Sequence, residues 1–394
     1  MRSAIVWTFL ALALATGAGC VPPSTSSTDN ALFALVARIT ESSADPPTES
    51  ITVDGSVGSD NDYRLIELGP ATAGQEWAVS ANNILLSNNW FLVVLLNSKY
   101  EVLQRQLVSR GTPLRHIVRA DTDELYLGVA SGVGGDAGDF HLEVSRRAGV
   151  PVPAPRQQVV WLNFAGGSDV TVRVTSKISY PAFDAEILGS AYAGATEAVK
   201  QAILATMRAN YAHYDVIILT SDDAPAPDGP HATVHFVSEH TSLLGLADSV
   251  DQYNTDPSQN AIVYVGSFAV FEAMELTDEE MGQMVGNVTS HELGHLLGLF
   301  HNQGPKDVMG TTGAWDLASD QSFSVATLEP TVFPFGNENS PQRLSETVGT
   351  KAVTKDTHMA EHVDTQRLRR KAALRAFVLD QLRGRCGTCL NPDE

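Results

Sequence analysis

The segment VTSHELGHLLGLFHNQGPKDVMG, residues 288–310, places three histidines and a glutamate within eleven positions. His291 and His295 are four apart, so a helix would put them on one face, one turn above the other. Two imidazoles so placed can grip one tetrahedral zinc ion. Glu292 adjoins the first ligand near the same face and can reach a metal-bound water without taking a coordination position. That is the H-E-x-x-H arrangement, two ligands and a general base. Zinc draws the pKa of its water toward neutrality, and the carboxylate takes the proton as the oxygen attacks a carbonyl. Gly298 can adopt the left-handed conformation that ends a helix and turns the chain. His301, three residues further on, can then swing back beneath the metal. Three histidines plus a water make an open, catalytic site rather than a closed, structural one.

The elements that must hold these side chains are legible upstream. Thr277-Asp278-Glu279-Glu280 is a capping box, a Thr that can cap with Glu three residues on. The run it opens has Met281, Met284, Val285 and Val288 on one side, so the helix begins well before the histidines and can carry them rigidly. Residues 159–166, VVWLNFAG, read as a strand. Glu197 to Tyr211 reads as a helix with Val199, Ile203, Met207 and Tyr211 on one face. YDVIILTS, residues 214–221, is a continuous apolar run suited to a buried strand. HATVHFVS, residues 231–238, alternates and suits a strand near the sheet edge. NAIVYVG, residues 260–266, is another strand, and the polar stretch between the last two, Glu239 to Gln259, is long enough to be functional or disordered. His213, His231, His235 and His240 lack ligand spacing and read as surface or loop histidines.

Residues 31–147 have a different texture. DYRLIEL, EWAVSA, WFLVVLLN, ELYLGVA and DFHLEVS are short runs rich in Val, Leu, Phe and Tyr, separated by Gly, Asn and Asp clusters. That is sandwich patterning, and its order resembles the small pre-peptidase-type modules of bacterial secreted peptidases. No catalytic constellation appears there, which suggests an accessory role. Residues 148–156 carry Pro151, Pro153 and Pro155, a semi-rigid linker and the expected domain boundary.

The zinc-binding segment in full, H-E-x-x-H-x-x-G-x-x-H, is the metzincin signature, so residues 157–310 resemble the metzincin metalloproteases, most nearly their matrixin-like branch. The resemblance implies zinc ligands at His291, His295 and His301, the base at Glu292, the helix-ending turn at Gly298, and a supporting methionine turn at Met309. It departs from matrixins after the methionine: GTTGAWDL lacks their Pro-x-Tyr wall and offers no tyrosine for the oxyanion. No inhibitory cysteine precedes the domain.

The chain has 394 residues, enough for two or three domains, with 43% hydrophobic and 18% charged residues. Its net charge of −20 argues against a nucleic-acid partner. Acidity on this scale serves solubility, and calcium binding is its other reading, which the sequence does not localise. Residues 1–20 resemble a lipoprotein signal: Arg2, the apolar run Ala4–Ala15, Gly17-Ala18-Gly19, then Cys20, the lipidation position. Residues 21–30 follow as a Pro/Ser/Thr-rich tether. Cys386 and Cys389 remain as a pair that an exported compartment would oxidise to a disulfide, with metal or redox use as the alternatives. Thr357 to Gly384 reads as a basic helix that either pairs with acidic neighbours or meets anionic lipid.

The expected class is therefore α+β: a zincin-like, metzincin-type catalytic domain over 157–394 preceded by an all-β sandwich. The expected activity is zinc-dependent endopeptidase acting on protein or peptide, exported and either lipid-anchored in a bacterial cell envelope (outer membrane or cell surface) or secreted. Substrate would bind in extended form at the strand His231–Ser238 or just after it, at Leu243–Val250. The rivals are a surface-binding lipoprotein with a latent or inactive zinc domain, and a zinc hydrolase of non-peptide amides.

Overall fold

The structure, a computed structural model, describes residues 48–58, 62–81, 91–108, 112–131, 137–173, 175–311 and 316–351. The signal and tether at 1–30, Cys20, the basic helix at 357–384 and Cys386 and Cys389 lie outside the described residues. The described fold is α+β with a large share of sheet.

The first half is a sandwich of two four-stranded antiparallel sheets. One has the order β1 (Thr48–Val57), β8 (Gly138–Arg147), β3 (Glu76–Ala81), β6 (Leu114–Ile117). The other runs β2 (Tyr63–Ala71), β7 (Thr122–Ser131), β4 (Phe91–Leu96), β5 (Val102–Val108). Alternation along β3, β7 and β8 sends Val79, Leu125, Leu127, Leu142 and Val144 into the space between the sheets. β4 breaks that alternation, because FLVVLL is buried throughout. Phe91, Val93 and Leu95 face the sandwich core, whereas Leu92, Val94 and Leu96 join Phe300, Leu328, Val332 and Phe333 from the second half. A strand apolar on both faces is one covered on both faces.

The second half centres on a five-stranded sheet of order β12 (Val216–Thr220), β9 (Gln158–Asn163), β13 (Ala232–Val237), β15 (Asn260–Tyr264), β14 (Gly245–Ala247). β12, β9, β13 and β15 are mutually parallel, and β14 closes the edge antiparallel to β15. One face is covered by α1 (Thr196–Asn210) and α2 (Asp278–Leu296), whose Val199, Ile203, Met207, Met281, Met284 and Val285 share a core with Val160, Leu162, Val234 and Val263. The hairpin β10 (Gly167–Val170) and β11 (Ile178–Tyr180) lies by the other face, with Val172, Ile178 and Tyr180 against Val237, Ile262 and Tyr264. Beyond α2 come the short pair β16 (Val325–Thr327) and β17 (Asn337–Asn339) and the helix α3 (Ser340–Thr347).

Two strand positions are the reverse of expectation. The alternating 231–238 segment is the central strand β13, not an edge. Its polar positions are buried too: His235 Nδ1 lies 2.6 Å from the Tyr180 hydroxyl, which accepts from Asn163 at 3.1 Å. His235 is thus a buried residue rather than a surface one, and burial pushes its pKa down. The apolar 214–221 segment is the edge strand β12, with Ile217 38% exposed. Residues 148–157 have no regular structure, and the backbone pins them where Val150 N donates to Gly74 O and Arg156 N to Thr347 O, both at 2.9 Å. Among the described residues no helix is long and apolar enough to cross a membrane.

Candidate metal centre

α2 starts where the capping box predicts. Thr277 Oγ1 accepts from Glu280 N at 3.2 Å, and the Glu280 carboxylate accepts from Thr277 N at 2.9 Å. From Met284 to Leu296 the helix is buried on every side. Its polar residues survive because they are bonded: Asn287 Nδ2 donates to Leu317 O and Ser319 O, Thr289 Oγ1 to Val285 O and Ser290 Oγ to Gly286 O. A helix this confined presents His291 and His295 in one fixed orientation.

It ends in a Schellman turn. Gly298 N donates to His295 O and Leu299 N to Gly294 O, both at 2.9 Å. Gly298 has φ 88°, and a Cβ there would fall 2.7 Å from Gln252 Cα and 2.8 Å from Tyr253 N. Only glycine meets both demands. The chain reverses and delivers His301 back to the first two histidines.

The three Nε2 atoms then lie 3.0 Å (His291–His301), 3.1 Å (His291–His295) and 3.3 Å (His295–His301) apart. The other ring nitrogens fix the tautomers. Nδ1 of His291 lies 2.7 Å from Val308 O and Nδ1 of His295 2.8 Å from Leu299 O. A carbonyl only accepts, so both Nδ1 atoms carry the proton and both Nε2 atoms present lone pairs. Burial holds the rings neutral, pushing His291 down to about 4 and His295 and His301 well below their ordinary value. Neighbouring imidazoles add to the lowering at the last two. Lone pairs converging at such distances repel one another unless a cation sits among them. Tetrahedral bonds of about 2.0–2.1 Å to zinc require nitrogens about 3.3 Å apart, close to these spacings. The donor set fits one such ion. Among the described residues, this triad is the one group of three or more His, Cys, Asp or Glu side chains close enough to share a metal.

Met309 is buried against the helix between His291 and His295, its sulfur close to Gly294: a Cβ on that glycine would fall 2.5 Å from Sδ. The turn that carries Met309 is built on Asp307, which sequence reasoning passed over. Its buried carboxylate accepts from Met309 N at 2.8 Å, Asn302 Nδ2 at 3.0 Å and Ser324 N at 2.8 Å, and from the Ser324 hydroxyl. These bonds also fix Val308, whose carbonyl orients His291. The only signal in the sequence is an acid two residues before the methionine.

Glu292 is 1% exposed and packs against the edge strand β14. Any side chain on Gly245 would collide with its carboxylate. Tyr264, beside β14, has its pKa raised by burial and then by the charges of Glu239 and Glu292. Of the two expected substrate segments, 231–238 is therefore interior, and 243–250 contains the outermost strand and touches the acid.

No protein-family model matches this chain, and no curated protein does. Among solved structures it is similar to a periplasmic lysozyme inhibitor of g-type lysozyme from Aeromonas hydrophila, at 14% identity and a TM-score of 0.20, over 25% of this chain and 86% of that one. A Yersinia pseudotuberculosis-derived mitogen gives 12% identity and 0.20, over 26% and 86%. The pre-peptidase C-terminal domain of a Bacillus anthracis collagenase gives 20% and 0.18, over 25% and 89%. Likenesses this slight assign nothing to this chain.

Proposed function

We propose that this chain is a zinc-dependent endopeptidase of the metzincin type, exported and held in a bacterial cell envelope by lipid on Cys20. The observation that carries the reading is the convergence of three neutral, buried imidazole Nε2 atoms within 3.3 Å of one another, with a carboxylate one residue from the first ligand. His291, His295 and His301 would hold the ion. Zinc, when bound, supplies a Lewis acid that polarises a carbonyl and acidifies a water. Glu292 takes the proton from the attacking water and returns it to the departing amine. β14 is an outermost strand beside Glu292, where an extended peptide can add by backbone pairing.

A second reading, a surface-binding lipoprotein whose zinc site is latent, draws on burial: Glu292 is 1% and His295 0% exposed. Digestion of an unstructured protein by the purified, zinc-loaded chain decides between them. Cleavage that falls on the order of 10²–10⁴-fold in Glu292→Gln, with zinc content unchanged, supports the peptidase. Zinc bound in both chains with no cleavage by either favours the latent reading. A chain that takes up no zinc removes both.

A further inference from the structure

His301 is delivered by a short turn, and what holds that turn is not confined to the half of the molecule that contains it. Phe300 lies between Leu299 and His301. Its ring clusters with Leu92, Val94 and Leu96 of β4 and with Val102 and Leu107 of β5. The Arg105 guanidinium stands 5.9 Å from the ring, and its Nε donates to Val332 O at 2.7 Å.

A second arm reaches the turn from the loop 251–254. Gln252 bonds β5 as a neighbouring strand would: its Oε1 accepts from Arg105 N and its Nε2 donates to Arg105 O, both at 2.7 Å. Tyr253 donates its hydroxyl to Leu103 O at 2.9 Å. Arg119 and Arg343 stack on its ring at 4.0 and 4.7 Å. Tyr253 and Asn254 sit at φ 67° and 49°; asparagine takes this conformation readily, whereas a tyrosine holds it only when its surroundings impose it. The far side of this loop lies against Gly298, and Asp251 N donates to His295 O at 3.0 Å.

We propose that the β4–β5 face of the sandwich is a clamp for the zinc site, with Phe300 and Tyr253 as positioning residues that hold the Gly298–His301 turn in register with the helix. The sandwich is then a structural part of the metal centre rather than a separable accessory. The identity of the ion rests on the zinc reading above, whereas the clamp itself does not.

The test uses the full chain with Phe300→Ala, Phe300→Leu, Tyr253→Phe and a control, Leu142→Ala, in the inner sandwich core away from the turn. Two quantities are read: amide exchange at 251–254 and 297–303 in metal-free protein, and zinc affinity by chelator competition. Phe300→Ala should speed exchange in both segments and weaken zinc about 10-fold or more. Phe300→Leu should recover most of each. Leu142→Ala should lower denaturant stability while leaving both near the parent values. Should Phe300→Ala not fold, Tyr253→Phe carries the same comparison. Parent-like exchange in Phe300→Ala, or in Tyr253→Phe where that variant replaces it, overturns the proposal, as does a Leu142→Ala chain that matches it on both readings. If the parent takes up no zinc, the zinc reading fails and the exchange measurement still decides the clamp.

Discussion

Asp307 shows how much of a candidate metal site lies behind the side chains that would ligate the ion. One carboxylate collects two bonds from the Met309 turn and its neighbour Asn302 and two from Ser324. Nothing in that bonding touches the metal position, yet it aims the Val308 carbonyl that sets the His291 tautomer. Asp307→Ala would strand the Met309 amide and the Asn302 side chain in a buried place. The expected cost is about 2–4 kcal/mol in urea unfolding, with zinc affinity down on the order of 10–100-fold. Asp307→Asn keeps the acceptor on one side only and should fall between. An Asp307→Ala chain with parent zinc affinity would show that His291 is oriented by the helix alone.

At the scale of elements, the Gly298 turn governs whether two histidines or three are brought together. Gly298→Ala meets both a left-handed φ and backbone atoms within 3 Å. It should lower stability by more than about 1 kcal/mol, with zinc affinity lost alongside it. Thermal melting with and without zinc measures both. A substitution that leaves melting unchanged would mean the loop 251–253 moves aside freely. The turn, the capping box and the histidine spacing were all readable because each is a local rule: a cap, a helical period, a glycine. The sheet order was not. β12 looks interior because VIIL is apolar, and β13 looks half-exposed because Thr233 and His235 are polar. Which strand ends up central depends on what covers each face. The Tyr180–Asn163 pair that buries His235 comes from residues 55 and 72 positions away, and no local pattern encodes it.

Across the whole molecule, two buried groups near the junction of the halves set opposite pH limits. Burial, then the charges of Arg343 and Arg119, pushes His116 down to about 3. Between that value and its ordinary 6.5 the unfolded chain binds the proton and the folded chain does not, so stability falls as pH drops through this window. The site histidines add to the loss in metal-free protein. Glu338 behaves in the opposite sense: burial pushes it up to about 8 despite Arg343 nearby. The folded chain keeps a proton that the unfolded chain gives up near 4.5, so stability falls as pH rises from there to about 8, where the loss is complete. Metal-free protein should be most resistant to urea at mildly acidic pH. Glu338→Gln should flatten the alkaline limb and His116→Phe the upper part of the acid limb. An alkaline limb unchanged by Glu338→Gln would assign it to other groups. The bond from Arg105 to Val332 spans 227 positions, and β4 must be in place before Phe300 has anywhere to go. Contacts of such separation form late, because loop closure must be met before they return anything. A chain part-way through synthesis therefore holds histidines but no assembled triad. On the peptidase reading proposed above, activity would wait until residues 300–333 have emerged and docked, a form of timing that requires no inhibitory segment.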